Sequence, residues 1–182
     1  MLEVGSRGGS APTQRHELRC LVGDFAIDHF GDDEETWDEF ASFAVEVLAP
    51  ERTLIEKLSA LHDAATRTPQ DKAIAALQRN ARHLYDIHCL LADERVVTAL
   101  EELGTDGIAD LCADVDRHSE AAGFSFTPRP AAGFSHSRLL DPDQPGAAAL
   151  AQGYERAMQL VYGRKPTLGE CLDTIRAQAH LL

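Results

Sequence analysis

The stretch "APERTLIEKLSALHDAATR", residues 49–67, decides how the rest of the chain is read. Leu54, Leu58, Leu61 and Ala65 recur at three- and four-residue intervals, the apolar stripe of an amphipathic helix. Pro50 stands where a helix can begin, since its missing N–H would have no partner there, and Glu51 suits the positive end of the helix dipole. Lys57 is one of three lysines, with Lys72 and Lys165, and lies about a quarter-turn from the centre of the stripe. Two readings are open for it. Its stem can lie along the core with the ammonium in water. Alternatively, it projects from the rim of the core into a cleft, where an ammonium can meet a triphosphate.

Downstream the chain stays helical. "TRTPQD" ends the first helix, and a second spans roughly 72–92 with Leu77, Leu84, Ile87 and Leu91 as its stripe. "DERVVTALEELG" is a third, with Gly104 as its C-cap, and "DGIADLCADVDRHSEAAG" a fourth. Residues 124–146 have no period and read as an ordered loop. "GAAALAQGYERAMQLVYG" and "PTLGECLDTIRAQAHLL" give two more helices, the latter starting after Pro166 and Thr167.

Upstream the pattern changes. "LEVGSR" alternates and then meets "GGSAP", a short strand followed by a turn. "TQRHELRCLVGDFAIDHF", residues 13–30, carries helical spacing through Leu18, Leu21, Val22 and Phe25. "FASFAVEVLA", residues 40–49, is rich in Phe and Val and predicts a second, largely buried strand. Two strands alone make a marginal sheet. The fold class is therefore α+β: a partial sheet in residues 1–50, then a larger helical part over 51–182.

The chain has 182 residues, of which 44% are hydrophobic, enough to bury a core. No apolar run is long enough to span a membrane, and the first residues lack the pattern of a signal peptide. Cys20, Cys89, Cys112 and Cys171 are widely spaced with no CxxC, which reads as reduced thiols in a cytoplasmic protein. Net charge is −13, which disfavours a protein that coats nucleic acid non-specifically while leaving room for a local basic site. From Cys20 to Glu51 there are ten carboxylates and no Lys or Arg. That run is a solvated loop or a surface for a basic partner.

The second helix concentrates the candidate chemistry. At 100° per residue, Leu77, Ala81, Leu84, Ile87, His88 and Leu91 share one side, and Arg79, Arg82 and Asp86 share the other. Arg82 and Asp86 are i, i+4 neighbours that can form a solvated ion pair. Alternatively, two guanidinium groups and a carboxylate line the wall of an anion site, since the Arg fork matches phosphate oxygens and a carboxylate can hold Mg2+. His83 and His88 lie about 140° apart, too far for a shared zinc. No Walker A, GxGxxG, GxSxG, HExxH or HRD pattern occurs.

Two segments taken together resemble a known family. "APERTLIEKLSALHDA" followed by "RNARHLYDIHCLLAD" is similar to the third and fourth motifs of the AbiEii family, nucleotidyltransferase-like toxins of type IV toxin–antitoxin and abortive-infection systems. The residues that carry the likeness are Pro50, Arg52, Thr53, Glu56, Lys57, Leu58, Ala60, Leu61 and His62, then Arg79, Arg82, His83, Tyr85 and Asp86. "LEVGSRGGSAPT" and "GYERAMQLVYGRKPTLGECLDTI" resemble the flanking parts, so the likeness spans nearly the whole chain. It implies a partial nucleotidyltransferase-like α/β domain over residues 1–50 and a helical domain over 51–182 carrying the Lys and Asp motifs. It further implies transfer of a nucleotide from an NTP, with Mg2+, to an acceptor such as the 3′ end of a tRNA, and a cognate antitoxin as partner.

Carried over residue by residue, the resemblance makes Lys57 and Asp86 catalytic. Lys57 meets the nucleotide phosphates, and Asp86 belongs to the active site. Arg82, with Arg79, supports the phosphates or Asp86, Arg7 is a further phosphate candidate, and Glu3 is a candidate metal ligand or an edge-strand charge. The family's GS turn followed by D-x-D is not found: "VGSRGGS" has no D-x-D after it, and "DVD" and "DPD" lie in a helix and a late loop. Two-metal transfer needs carboxylates to clamp the ions. The expectation is therefore a family member without its N-terminal part and with little catalysis by itself. The alternative is a catalytically inactive homologue that acts only as an interaction module with its antitoxin.

Overall fold

The computed structural model describes Gly9 and residues 11–182, so the strand expected at residues 2–7 lies outside the described residues, as do Glu3 and Arg7. The described residues divide into two compact units, residues 11–49 and Pro50–Leu182, the latter together with Gly9.

In the first unit Thr13–Leu18 forms a strand, β1, antiparallel to β2, Phe43–Leu48, with Thr13 opposite Leu48 and Leu18 opposite Phe43. The helix expected over 13–30 is thereby shortened to α1, Leu21–Phe30. Cys20 marks its start: the extended Cys20 accepts a hydrogen bond at Sγ from the Gly23 N–H, at 3.1 Å, and so caps the first turn. Leu18 continued the helical spacing by coincidence, and pairing with β2 claims it. The second strand lies where the Phe and Val content put it. It is not buried, however, and every residue of β1 is exposed. A taste for β structure reports on backbone and side-chain fit, which an exposed ribbon also satisfies. Trp37, Phe30 and Leu21 are likewise exposed. Arg19, just before the acidic run, pairs with Asp24 at 3.4 Å and also with Glu34.

The second unit is a helical assembly built around α2, Pro50–Thr66. Leu54, Ile55, Leu58, Leu61 and Ala65 are wholly buried, and α2 packs against α3, Asp71–Asn80, α4, His83–Leu91, and α5, Glu94–Ala121. The single helix expected over 72–92 is two. At Ala81 and Arg82 the backbone tightens to i→i+3 bonding, with Leu84 N–H donating to Ala81 O and Tyr85 N–H to Arg82 O. The resulting bend keeps Leu77 and Ala81 on one side of it, and Leu84 and Ile87 on the other, fully inside the core. The third and fourth expected helices run together as α5 with a break at Gly104, whose φ of 61° and ψ of −178° suit glycine alone. Loop 124–146 contains two 3-10 turns, Phe134–His136 and Arg138–Leu140, that bury Phe134 and Leu139. The last two helices are α6, Ala147–Met158, and α7, Leu168–Ala177. Thr167 and Glu170 close a reciprocal capping box at the start of α7.

Two polar residues of the α2 motif turn out to be part of this scaffold. Arg52 is fully buried, and its guanidinium donates to Glu56 at 2.9 Å and to Asp114 of α5 at 2.6 Å. His62 is buried too, with Nδ1 at 2.7 Å from Ser137 Oγ and Nε2 at 3.2 Å from Pro128 O, which fastens the 124–146 loop to α2.

Candidate functional site

Lys57 leaves α2 from the edge of its apolar stripe and meets α4. Its Nζ donates to Asp86 Oδ2 at 2.7 Å and lies 3.4 Å from His83 Nδ1. His83 Nδ1 is itself 3.5 Å from Asp86 Oδ2, so one carboxylate oxygen is shared between an imidazole and an ammonium. His83 and then Lys57 hold the Asp86 carboxyl below the ordinary carboxylate range, against the opposing pull of partial burial. The carboxylate is thus ionised across the physiological range. The ammonium of Lys57 is neither left to water alone nor on the cavity wall: it is turned to a specific acidic partner, with 24% of the side chain exposed.

The i, i+4 pair expected between Arg82 and Asp86 does not form, because Asp86 points to Lys57 and His83. Arg82 lines a cavity of about 570 Å3 together with Arg79, Asp86 and Tyr85. The opposite wall comes from α6 and the residues after it: Gly153, Arg156, Ala157, Met158, Leu160 and Val161. Among the described residues, the side chains of Arg79, Arg82 and Arg156 have no hydrogen-bond or ion-pair partner. Elsewhere Arg52, Arg67, Arg117 and Arg176 are ion-paired to carboxylates. Arg79, Arg82 and Arg156 are exposed residues lining the cavity, and their guanidinium groups are not taken up by carboxylates among the described residues.

The sequence brought out Lys57, Asp86, Arg79 and Arg82, and the fold places all four within one unit, Asp86 and both arginines on the cavity wall and Lys57 against Asp86. It missed Arg156 and the apolar wall beside it. Arg156 lies 70 or more residues downstream of the other arginines, on a helix read only as packing. The close approach of α3 and α6 at Gly153 was the available signal. A Cβ there would stand 2.1 Å from Gln78 O, so only glycine lets the two helices meet. His83 was read as a motif residue without a role, and it proves to hold Asp86.

The fold and this geometry give a small antiparallel sheet in one unit and, in the other, an ammonium–carboxylate pair beside a cavity that three arginines line. The family model described as "Nucleotidyl transferase AbiEii toxin, Type IV TA system" matches residues 1–174, and the chain belongs to that family. Nucleotidyltransferase chemistry on an NTP, with a divalent metal, and an antitoxin partner are properties of that family of toxins. No curated protein and no solved structure matches the chain. No helix among the described residues is long and apolar enough to cross a membrane.

The described residues do not fit a divalent-metal centre by themselves. No group of three or more His, Cys, Asp or Glu side chains among them is arranged to hold an ion, and the Asp86 carboxylate is already engaged by Lys57 and His83.

Proposed function

We propose that this chain is a cytoplasmic toxin that transfers a nucleotide from an NTP to an acceptor RNA, the 3′ end of a tRNA being the acceptor of choice. Mg2+ is the divalent ion proposed, and Glu3 its candidate ligand. In the transfer the acceptor 3′ hydroxyl gives its proton to water as its oxygen bonds to the α-phosphorus, the bond from that phosphorus to the β-phosphate oxygen breaks, and pyrophosphate leaves with the electron pair. Lys57 neutralises phosphate charge. Asp86, kept anionic by His83 and Lys57, orients the acceptor hydroxyl and receives its hydrogen bond. Arg79, Arg82 and Arg7 are the phosphate-binding candidates. In this reading residues 1–50 belong to a nucleotidyltransferase-like α/β domain and 51–182 form the helical domain that carries Lys57 and Asp86.

The observation that carries the proposal is the 2.7 Å pairing of Lys57 with Asp86 at the edge of a cavity lined by three unpartnered arginines. A second reading draws on exposed Leu21, Phe30 and Trp37 within the carboxylate-rich segment, which suits a basic, partly apolar antitoxin. There the chain is a catalytically inactive interaction module.

The test is incubation of the full chain with total RNA, Mg2+ and each of the four radiolabelled NTPs. Label in tRNA-sized species that vanishes in Lys57→Ala and Asp86→Ala supports transfer through this site. Label that persists in both variants shows that the residues are misassigned, and no label with any NTP favours the interaction module.

A further inference from the structure

We propose that the cavity framed by α3, α4 and α6 is the acceptor subsite, holding the single-stranded 3′ end of the RNA. Its phosphates lie on Arg79, Arg82 and Arg156, and a base rests against Tyr85, Met158 and Val161. This assignment rests on the nucleotidyl-transfer reading above and divides the two substrates between the two sides of Asp86.

The division follows from which side chains face the cavity. Asp86 lines it and Lys57 does not, although the two touch at 2.7 Å. A triphosphate neutralised by Lys57 therefore approaches Asp86 from the ammonium side. A group in the cavity meets the same carboxylate from the other side. A nucleotidyl transfer needs two substrates whose reacting atoms converge on one point, and Asp86 is the residue both can reach.

The cavity has the chemistry of a nucleic-acid end rather than of a free anion. Three guanidinium groups come from three places in the chain, α3, the bend before α4, and α6, so they can grip more than one phosphate. In a chain of net charge −13, three arginines around one cavity, against the single carboxylate of Asp86 that Lys57 already engages, are a local positive field set against the overall charge. Inorganic phosphate would leave the Tyr85, Met158 and Val161 wall unused, whereas a base stacks on such a surface. A volume of about 570 Å3 admits a nucleotide-sized group.

The test uses a fluorescein-labelled, single-stranded tetraribonucleotide with a free 3′ hydroxyl, titrated against the full chain and read by anisotropy. Arg156→Glu should weaken binding about tenfold or more, and Arg156→Ala should lower the slope of log affinity against log salt by about one contact. Arg138→Ala is the control: Arg138 also lacks a side-chain partner among the described residues, lies outside this cavity, and removes the same charge. It should bind as the wild type does. Saturating NTP should leave the oligonucleotide bound, and thermal melting of each variant reports folding. Equal loss in Arg138→Ala and Arg156→Ala overturns the subsite in favour of diffuse charge. Displacement of the oligonucleotide by NTP, or no binding by the wild type, overturns it as well. Binding that depends on Arg156 without any label transfer supports the cavity while sinking the catalytic reading. Transfer with an unchanged acceptor KM in Arg156→Glu does the reverse.

Discussion

Lys57 Nζ stands 2.7 Å from Asp86 Oδ2, joining the central helix α2 to α4 across the rim of the arginine-lined cavity. The pair is partly open to water, with 24% and 40% of the two side chains exposed. Screening therefore keeps its coupling small, about 0.2–1 kcal/mol by double-mutant cycle. Asp86 has its folded pKa lowered, so its contribution is present above the unfolded value of about 4 and is lost as pH falls through the lower folded value. Urea midpoints of the wild type and Asp86→Asn should thus differ slightly and constantly from pH 5 to 8 and converge in acid. A loss of several kcal/mol in Asp86→Asn at neutral pH would make the pair a structural strut instead of a site.

His62 predicts a second pH effect of opposite origin. Burial holds its imidazole below the ordinary histidine value, so the folded protein keeps it neutral where the unfolded chain already takes up a proton. The stability it supports is full above about pH 6.5, the unfolded value, and declines as pH falls below it. The falling midpoint between pH 7.5 and 5.5 should flatten in His62→Gln. Ser137→Ala, which removes the 2.7 Å partner of Nδ1, should cost about 0.5–1.5 kcal/mol and leave the pH slope in place. A wild-type midpoint that does not move between these pH values would show that His62 is not held neutral.

Gly153→Ala tests the helix contact that shapes the cavity. The added Cβ would lie 2.1 Å from Gln78 O and 2.9 Å from Ala81 Cβ, and neither neighbour is the end of a flexible side chain. Relief requires α3 and α6 to part, at a cost of about 1–3 kcal/mol. Thermal melting should show the drop, and oligonucleotide binding should weaken as Arg156 recedes from Arg79. A variant as stable as the wild type would mean that the two helices do not meet so closely.

Much of this was readable in one dimension because helices write their buried face at a fixed period. Leu54, Leu58, Leu61 and Ala65 named the buried side of α2, and Pro166 with Thr167 marked where α7 begins. Lys57 and Asp86, which the structure brings into contact, were singled out for another reason: each sits in a motif dense enough to be matched residue by residue. The ribbon was harder. Leu18 fits the helical spacing of residues 13–30, yet the hydrogen-bonding groups of residues 13–18 are satisfied by a strand 30 residues away, which no local period reports.

The amino-acid sequence by itself determined a helical chain after Pro50, one strand of the ribbon before it, the acidic bias and the family. Only the tertiary structure decided which charges meet. Asp86 could have paired with Arg82 one turn away, and it turns instead to Lys57, 29 residues distant, leaving Arg82 to the cavity. Arg52 and His62, which share a motif with Lys57, go inward to Asp114 and Ser137. Arg156 joins Arg79 because Gly153 lets two helices touch. Short-range period fixes a side chain's direction from its own helix, whereas its partner is set by packing between helices far apart in the chain.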